Sequence, residues 1–90
     1  MPFTAKIRFW RPERAAGLAV VDVPPEVAEA LGGLKQLRVR GTINGVDFVS
    51  STMPAGGGRL ALSVSKAMMS SAGATVGDIA TVDILGRDPS

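Results

Sequence analysis

Ninety residues, 9.3 kDa, make one small domain and leave no room for a second. The chain has no Cys, no His and no Tyr, which excludes thiolate nucleophiles, imidazole bases and Cys/His zinc sites. Ten Lys+Arg against eight Asp+Glu leave a net charge of +2; the sequence pI of 9.7 overstates the basicity, because almost nothing titrates between the carboxylates and the lysines.

Apolar residues at 46%, charged residues at 20% and a mean hydropathy of +0.24 are the composition of a packed globular core. One domain over 1–90 is expected, ordered from about residue 3 to about residue 85. A chain this short buries only about 60–65% of its unfolded surface. Packing against a second copy, as a homodimer, is one source of further stability. The N-terminal residues interleave charges with apolar side chains, and no run approaches the ~18 apolar residues of a membrane span. A cytoplasmic protein with no membrane partner is the expectation.

Phe3, Ala5, Ile7 and Phe9 alternate with Thr4, Lys6, Arg8 and Trp10, the period of a strand with one buried face. A turn with Pro12 and three charges follows, and Gly17 opens a second strand over residues 18–23, completing an antiparallel hairpin with a longer loop. Pro24 and Pro25 stop that strand, and Pro25 suits a first helical position. Glu26 and Glu29 favour the positive end of the helix, Val27, Ala30 and Leu31 supply an apolar stripe, and Gly32-Gly33 ends it.

Asn44-Gly45 between two β-type runs specifies a two-residue type I′ hairpin. That turn pairs Ile43 with Val46, Gly41 with Phe48 and Val39 with Ser50. Leu37, Val39, Ile43, Val46 and Phe48 then share one face, with the Phe48 ring over the bare backbone of Gly41. Residues 53–58, with Pro54 and three glycines, read as a flexible connection, and Leu60, Leu62 and Val64 alternate in a fifth strand. Ser65 is placed to cap a helix over residues 66–72, closed by Gly73. A last strand covers residues 79–85 with Ala80, Val82 and Ile84 inward, and residues 86–90 form a frayed tail. No internal repeat divides the sequence. Six short strands and two short helices imply a mainly β fold, a small closed or nearly closed six-stranded barrel, since closure removes exposed strand edges. An open α+β sheet is the alternative.

Three segments taken together resemble a known family: Val21-Asp22-Val23-Pro24-Pro25-Glu26-Val27; Val39-Arg40-Gly41-Thr42-Ile43-Asn44-Gly45 with Phe48; and Leu62-Ser63-Val64-Ser65-Lys66-Ala67 leading to Ala72-Gly73 and Val76-Gly77-Asp78. In this order and spacing they resemble the prokaryotic domain-of-unknown-function family nineteen-oh-five (DUF1905). The resemblance implies a double-split β-barrel, related at fold level to the AbrB, MazE and SpoVT swapped-hairpin regulators. It implies no activity. Leu18 stands where such domains often carry Trp, and Met69 where an Arg commonly follows the helix-start Lys, which leaves Lys66 alone.

Candidate chemistry is sparse. Asp22, Asp47, Asp78 and Asp83 carry no sign that any two meet, and they read as solvated turn carboxylates. Serines at 50, 51, 63, 65, 70 and 71 lack a His base; Lys66 is the one local substitute, and capping by Ser65 is favoured over a Ser-Lys dyad. No catalytic residue, cofactor or metal is assigned, and the protein is not expected to be an enzyme. Gly57, Gly58 and Arg59, with Lys66, are candidate anion-binding residues, because glycine amides and a helix-start cation suit an anion. The spacing is not that of a phosphate-binding loop, so a plain turn is favoured. Arg8, Trp10, Arg11 and Arg14 cluster at one hairpin end, while Arg38 and Arg40 line another strand. On one shared surface, Arg8, Trp10, Arg11, Arg38 and Arg40 would make a basic stripe for nucleic acid. Against this stands a solvated polar face with Trp10 capping the barrel end. Met53, Met68 and Met69 read as gap-filling core.

Three functional readings stay open. The first is a non-enzymatic binding or interaction β-barrel module. The second is a DNA-binding transcriptional regulator, by analogy to AbrB-like swapped-hairpin dimers. The third is a small-ligand or anion-binding protein.

Overall fold

Alternation over the first ten residues produces one extended run that changes partner at Ile7. The computed structural model describes residues 1–11 and 17–88. In it β1 (Pro2–Lys6) pairs antiparallel with β7 (Ile79–Arg87), while β2 (Arg8–Phe9) pairs antiparallel with β3 (Ala19–Val23). Between them Ile7, fully buried, donates its N–H to the Asp78 carbonyl at 2.9 Å and accepts from the Gly77 N–H at 2.8 Å. The Trp10 N–H instead donates to the Leu18 carbonyl at 2.7 Å. Odd-numbered residues thus turn their backbone groups to β7 and even-numbered ones to β3, as strand geometry requires. The strand is split between two neighbours.

β5 (Val46–Gly56) is split in the same way. Its first half pairs with β4 (Arg38–Ile43) and its second half with β6 (Arg59–Val64). The order across the sheet is β1-β7-β4-β5-β6-β3-β2. Because β1 and β2 are one run of chain joined at Ile7, the two ends of that order are continuous, and the sheet curls into a nearly closed barrel. Taken as one strand, β1 and β2 complete the expected six.

The chain repeats this plan: split strand, strand, seven-residue helix, strand. β1/β2, β3, α1 (Pro25–Leu31) and β4 correspond to β5, β6, α2 (Lys66–Ala72) and β7. Matching the helices residue for residue carries Val20 onto Ala61, whose cross-hairpin partners are Arg8 and Met53. Ile7 then falls on Thr52, Ala5 on Ser50 and Asp22 on Ser63. No repeat is visible in the sequence because these pairs share position, not chemistry.

The core lies between the curled faces, with Ile43, Leu60, Leu62, Val64, Val82 and Ile84 almost wholly buried. The Asn44-Gly45 turn has positive φ at both residues, 49° and 82°, and delivers the expected register, Ile43 to Val46 and Gly41 to Phe48. The expected capping of α2 is present, with the Met68 N–H donating to Ser65 Oγ at 3.1 Å and Gly73 left-handed.

Four expectations need correction. Residues 53–56 are strand, not loop: β5 runs through Met53 and Pro54, and only Gly57 and Gly58 turn. Pro54 is tolerated there because the β5–β6 register slips between Pro54 and Gly56, a bulge where its missing N–H does least harm. Gly86 and Arg87 belong to β7 and pair with Arg40 and Val39, so the strand outlasts the expected tail. In α1 it is Ala28, not Ala30, that joins Val27 and Leu31 in the core. Gly41 is required less by the Phe48 ring than by β7: a Cβ there would run into the Asp83 carbonyl oxygen, at the point where the β4–β7 register shifts.

Candidate ligand-binding cleft

A split strand leaves a wedge on the side where it has lost its neighbour. The fold therefore contains two wedges, one between β1 and β3 and one between the start of β5 and the end of β6. The second is closed. Ser50 Oγ donates to the Ser63 carbonyl at 2.6 Å, and α2 packs on β5, with a cleft of about 160 Å³ between the β4–β5 hairpin and Met68 and Ser71 of α2. In the first wedge Ser50 is replaced by Ala5, which has no hydroxyl, and α1 packs chiefly against β6. An opening of about 610 Å³ results, lined by β1, the end of β3, the start of α1 and the β5–β6 turn.

The floor is apolar, with Val23, Ala28 and Leu60 buried and Pro24 and Pro25 beside them. Charge sits at the rim. Among the described residues it carries three cations, Lys6, Arg8 and Arg59, and one carboxylate, Asp22. Strand alternation puts Lys6 and Arg8 on the outer face, and Asp22 is diagonal to Arg8 across the hairpin, within reach of a long side chain. Arg8 holds Asp22 in a fork, Nε to Oδ2 at 3.0 Å and one terminal nitrogen to Oδ1 at 2.8 Å, while its other terminal nitrogen donates to the Phe9 carbonyl at 3.2 Å.

These hydrogen bonds from Arg8 hold the Asp22 carboxyl below the usual carboxylate range; burial opposes the shift, and the charges of Arg8 and then Arg59 assist it. The same bond raises the Arg8 pKa against its own desolvation. Arg59 lies close enough for Asp22 to feel its charge, yet among the described residues its side chain has no hydrogen-bond or ion-pair partner. A second opening of about 450 Å³ continues the groove past Arg8, Asp22 and Arg59 to Trp10 and Ala55.

The structure divides the sequence candidates. Arg8 and Trp10, named for nucleic acid, and Gly58 and Arg59, named for anions, come together along this groove. Gly57 is in the adjoining turn, and Arg11 is exposed beyond β2 and lines neither opening. Arg14 lies outside the described residues. Lys66 is exposed at the far end of β6 from Arg59, roughly 17 Å of strand away, so it joins no glycine-turn site. Arg38 pairs with Asp88 at 3.3 Å, and Arg40 borders a shallow cleft with Asp47 and Leu85. Both stand on β4, which β5, β6 and β3 separate from β2 in the sheet. The aspartates are dispersed as well: Asp78 accepts from the Thr75 N–H at 3.0 Å, Asp83 from the Met1 amino group at 2.8 Å, and Asp47 lies beside α2.

Lys6 and the apolar floor were not singled out by sequence reasoning, and Asp22, expected as a solvated turn carboxylate, stands in β3 paired with Arg8. Asp22 opposite Arg8 was the available signal, but the long connection between β2 and β3 leaves their register open until the structure sets it.

The family model described as Domain of unknown function (DUF1905) matches residues 3–84. The chain belongs to this family. No curated protein matches it. The DUF1905 match spans β1 to most of β7, so both wedges and every residue of the groove lie within the family's domain. Among the described residues no helix is long and apolar enough to cross a membrane.

Proposed function

We propose that this DUF1905 domain is a non-catalytic binding module of the cytoplasm, which takes a small ligand in the wedge between β1 and β3. One observation carries the reading: the fold makes two equivalent wedges, and one is laced by Ser50 and Ser63 while the other stands open at about 610 Å³. That volume falls within the roughly 300–1,000 Å³ typical of small-molecule sites, and an apolar floor with a few convergent polar groups is the usual lining.

A fragment screen by amide proton–nitrogen NMR tests it. Bound fragments are expected to shift the amides of Ala5, Asp22, Ala28 and Leu60 together. A screen whose hits all map elsewhere, or that yields none, overturns the reading.

The nucleic-acid alternative keeps Arg8 and Trp10 beside Arg59, but Arg11 lines neither opening, and Arg38, engaged by Asp88, and Arg40 stand on another strand. Two or three phosphate contacts give only weak binding with a shallow salt slope. The expected gel shift with duplex DNA is therefore absent even at low salt; a discrete complex would restore the alternative.

A further inference from the structure

We propose that the open wedge recognises a singly charged amphiphile, a carboxylate or similar oxyanion on a short alkyl or aryl body, with the head on Arg59 and Lys6 and the body over Val23, Pro24, Ala28 and Leu60. This rests on the cleft reading above and assigns its ligand class.

Three observations lead there. The rim carries three cations and one carboxylate among the described residues, and that carboxylate is shared, bound by Arg8 and felt by Arg59, so the excess charge is positive but partly offset at Arg59. Of the two guanidinium groups, that of Arg8 is already engaged by Asp22 and Phe9, whereas that of Arg59 makes no hydrogen bond among the described residues. A guanidinium stays charged at any working pH, and its fork matches a carboxylate in two parallel bonds. Finally, the floor beside this head site is apolar, with Val23, Ala28 and Leu60 buried, and the one uncharged polar side chain among the described lining residues, Thr4, is exposed on β1.

Asp22 sets the charge of the ligand. Its carboxylate stays in the groove and interacts with Arg59, so each added negative charge on a head group meets repulsion as well as attraction. A single charge satisfies Arg59 and Lys6; a dianion gains less for its larger desolvation cost. A neutral compound leaves the Arg59 donors to water, and a cation is repelled.

Calorimetry on the intact chain with octanoate, 1-octanol, octylamine, acetate and inorganic phosphate reads this out, with Trp10 emission as a second signal. Trp10 is the sole Trp, Tyr is absent, and the indole borders the groove. Octanoate is expected to bind about tenfold or more tighter than octanol, and Arg59→Gln is expected to remove about that factor for octanoate while leaving octanol unchanged. Arg40→Gln, on β4, is expected to change neither. Octanoate and octanol binding alike, or octylamine matching octanoate, overturns the assigned ligand class and leaves the cleft reading intact. Acetate or phosphate binding as tightly as octanoate removes the apolar body from the proposal. If none of the three eight-carbon compounds binds and the fragment screen is also silent at the wedge, the cleft reading itself fails.

Discussion

The Ser50 hydroxyl donates to the Ser63 carbonyl oxygen at 2.6 Å, across the gap that opens where β5 changes partner. It does for one wedge what no side chain does for the other, since Ala5 occupies the matching place. Ser50→Ala leaves a half-buried carbonyl without its partner and is expected to destabilise the fold by about 1 kcal/mol, several degrees in Tm for a domain of this size. Thermal unfolding by circular dichroism measures it. An unchanged Tm would mean that α2 alone keeps that wedge shut.

Gly41 and Gly45 separate two reasons for a glycine. At Gly41 a Cβ would strike the backbone of Asp83 on β7, so Gly41→Ala forces two strands apart. At Gly45, φ is 82° and a Cβ would meet open space, so Gly45→Ala carries only the left-handed penalty. Urea midpoints are expected to show about 3 kcal/mol or more lost in the first case and about 1–2 kcal/mol in the second. Equal losses would show that the β4–β7 contact at Gly41 relaxes freely.

What could be read in the sequence was local. Asn44-Gly45 fixes its own turn, Ser65 and Gly73 bound their own helix, and the alternation of residues 3–9 marks a strand without reference to anything distant. What could not be read depends on partners far along the chain. Ile7 looks like any inward residue of a strand, and only Gly77 and Asp78 on one side, with β3 on the other, make it the point of partner exchange. Pro54 argues against strand until the bulge opposite β6 is known. The groove has the same character: Arg8, Asp22 and Arg59 come from three strands, and the sequence names two of them for different functions.

Arg87 shows how a residue expected in a loose tail becomes structural. Its Nε and one terminal nitrogen donate to the Leu31 carbonyl at 3.1 and 2.8 Å, satisfying the end of α1 with a cation where the helix dipole is negative. Arg87→Met keeps the aliphatic stem and removes both bonds, with an expected loss of about 1 kcal/mol. Gly32→Ala is expected to cost more, because φ is 113° and the added Cβ would displace the same guanidinium. Chemical denaturation of the two variants gives the order, and a costlier Arg87→Met would reverse the reasoning.

Thr52, the counterpart of Ile7, is the one buried polar residue among the described residues. Its hydroxyl accepts from the Leu37 N–H at 3.1 Å and donates to the Lys35 carbonyl at 2.9 Å, tying the segment after α1 to β5. Thr52→Val preserves shape but strips both backbone groups of their partner, for an expected loss of about 1.5 kcal/mol. Thr52→Ser retains the hydroxyl and is expected to recover most of it. Hydrogen exchange at the Leu37 amide separates the causes: it should accelerate in Thr52→Val and not in Thr52→Ser.

The Arg8–Asp22 pair gives stability a pH dependence whose sign follows from the lowered Asp22 pKa. Above the ordinary carboxylate value the aspartate is ionised in both the folded and the unfolded chain, and the pair contributes fully. As pH falls through that value the unfolded chain takes up its proton first, and the contribution is lost as pH drops on through the folded pKa. The side chains are 32% and 45% exposed, so screening holds the effect to about 0.5 kcal/mol. The Tm difference between wild type and Asp22→Asn is expected to be present at about pH 6, to shrink towards about pH 2.5, and to shrink again at about 1 M salt. A difference that persists unchanged at the acid end would mean that Asp22 acts through packing, with its charge irrelevant to holding Arg8. The same substitution also frees the Arg8 guanidinium, so at neutral pH Asp22→Asn is expected to admit dianions to the groove that the wild-type carboxylate repels.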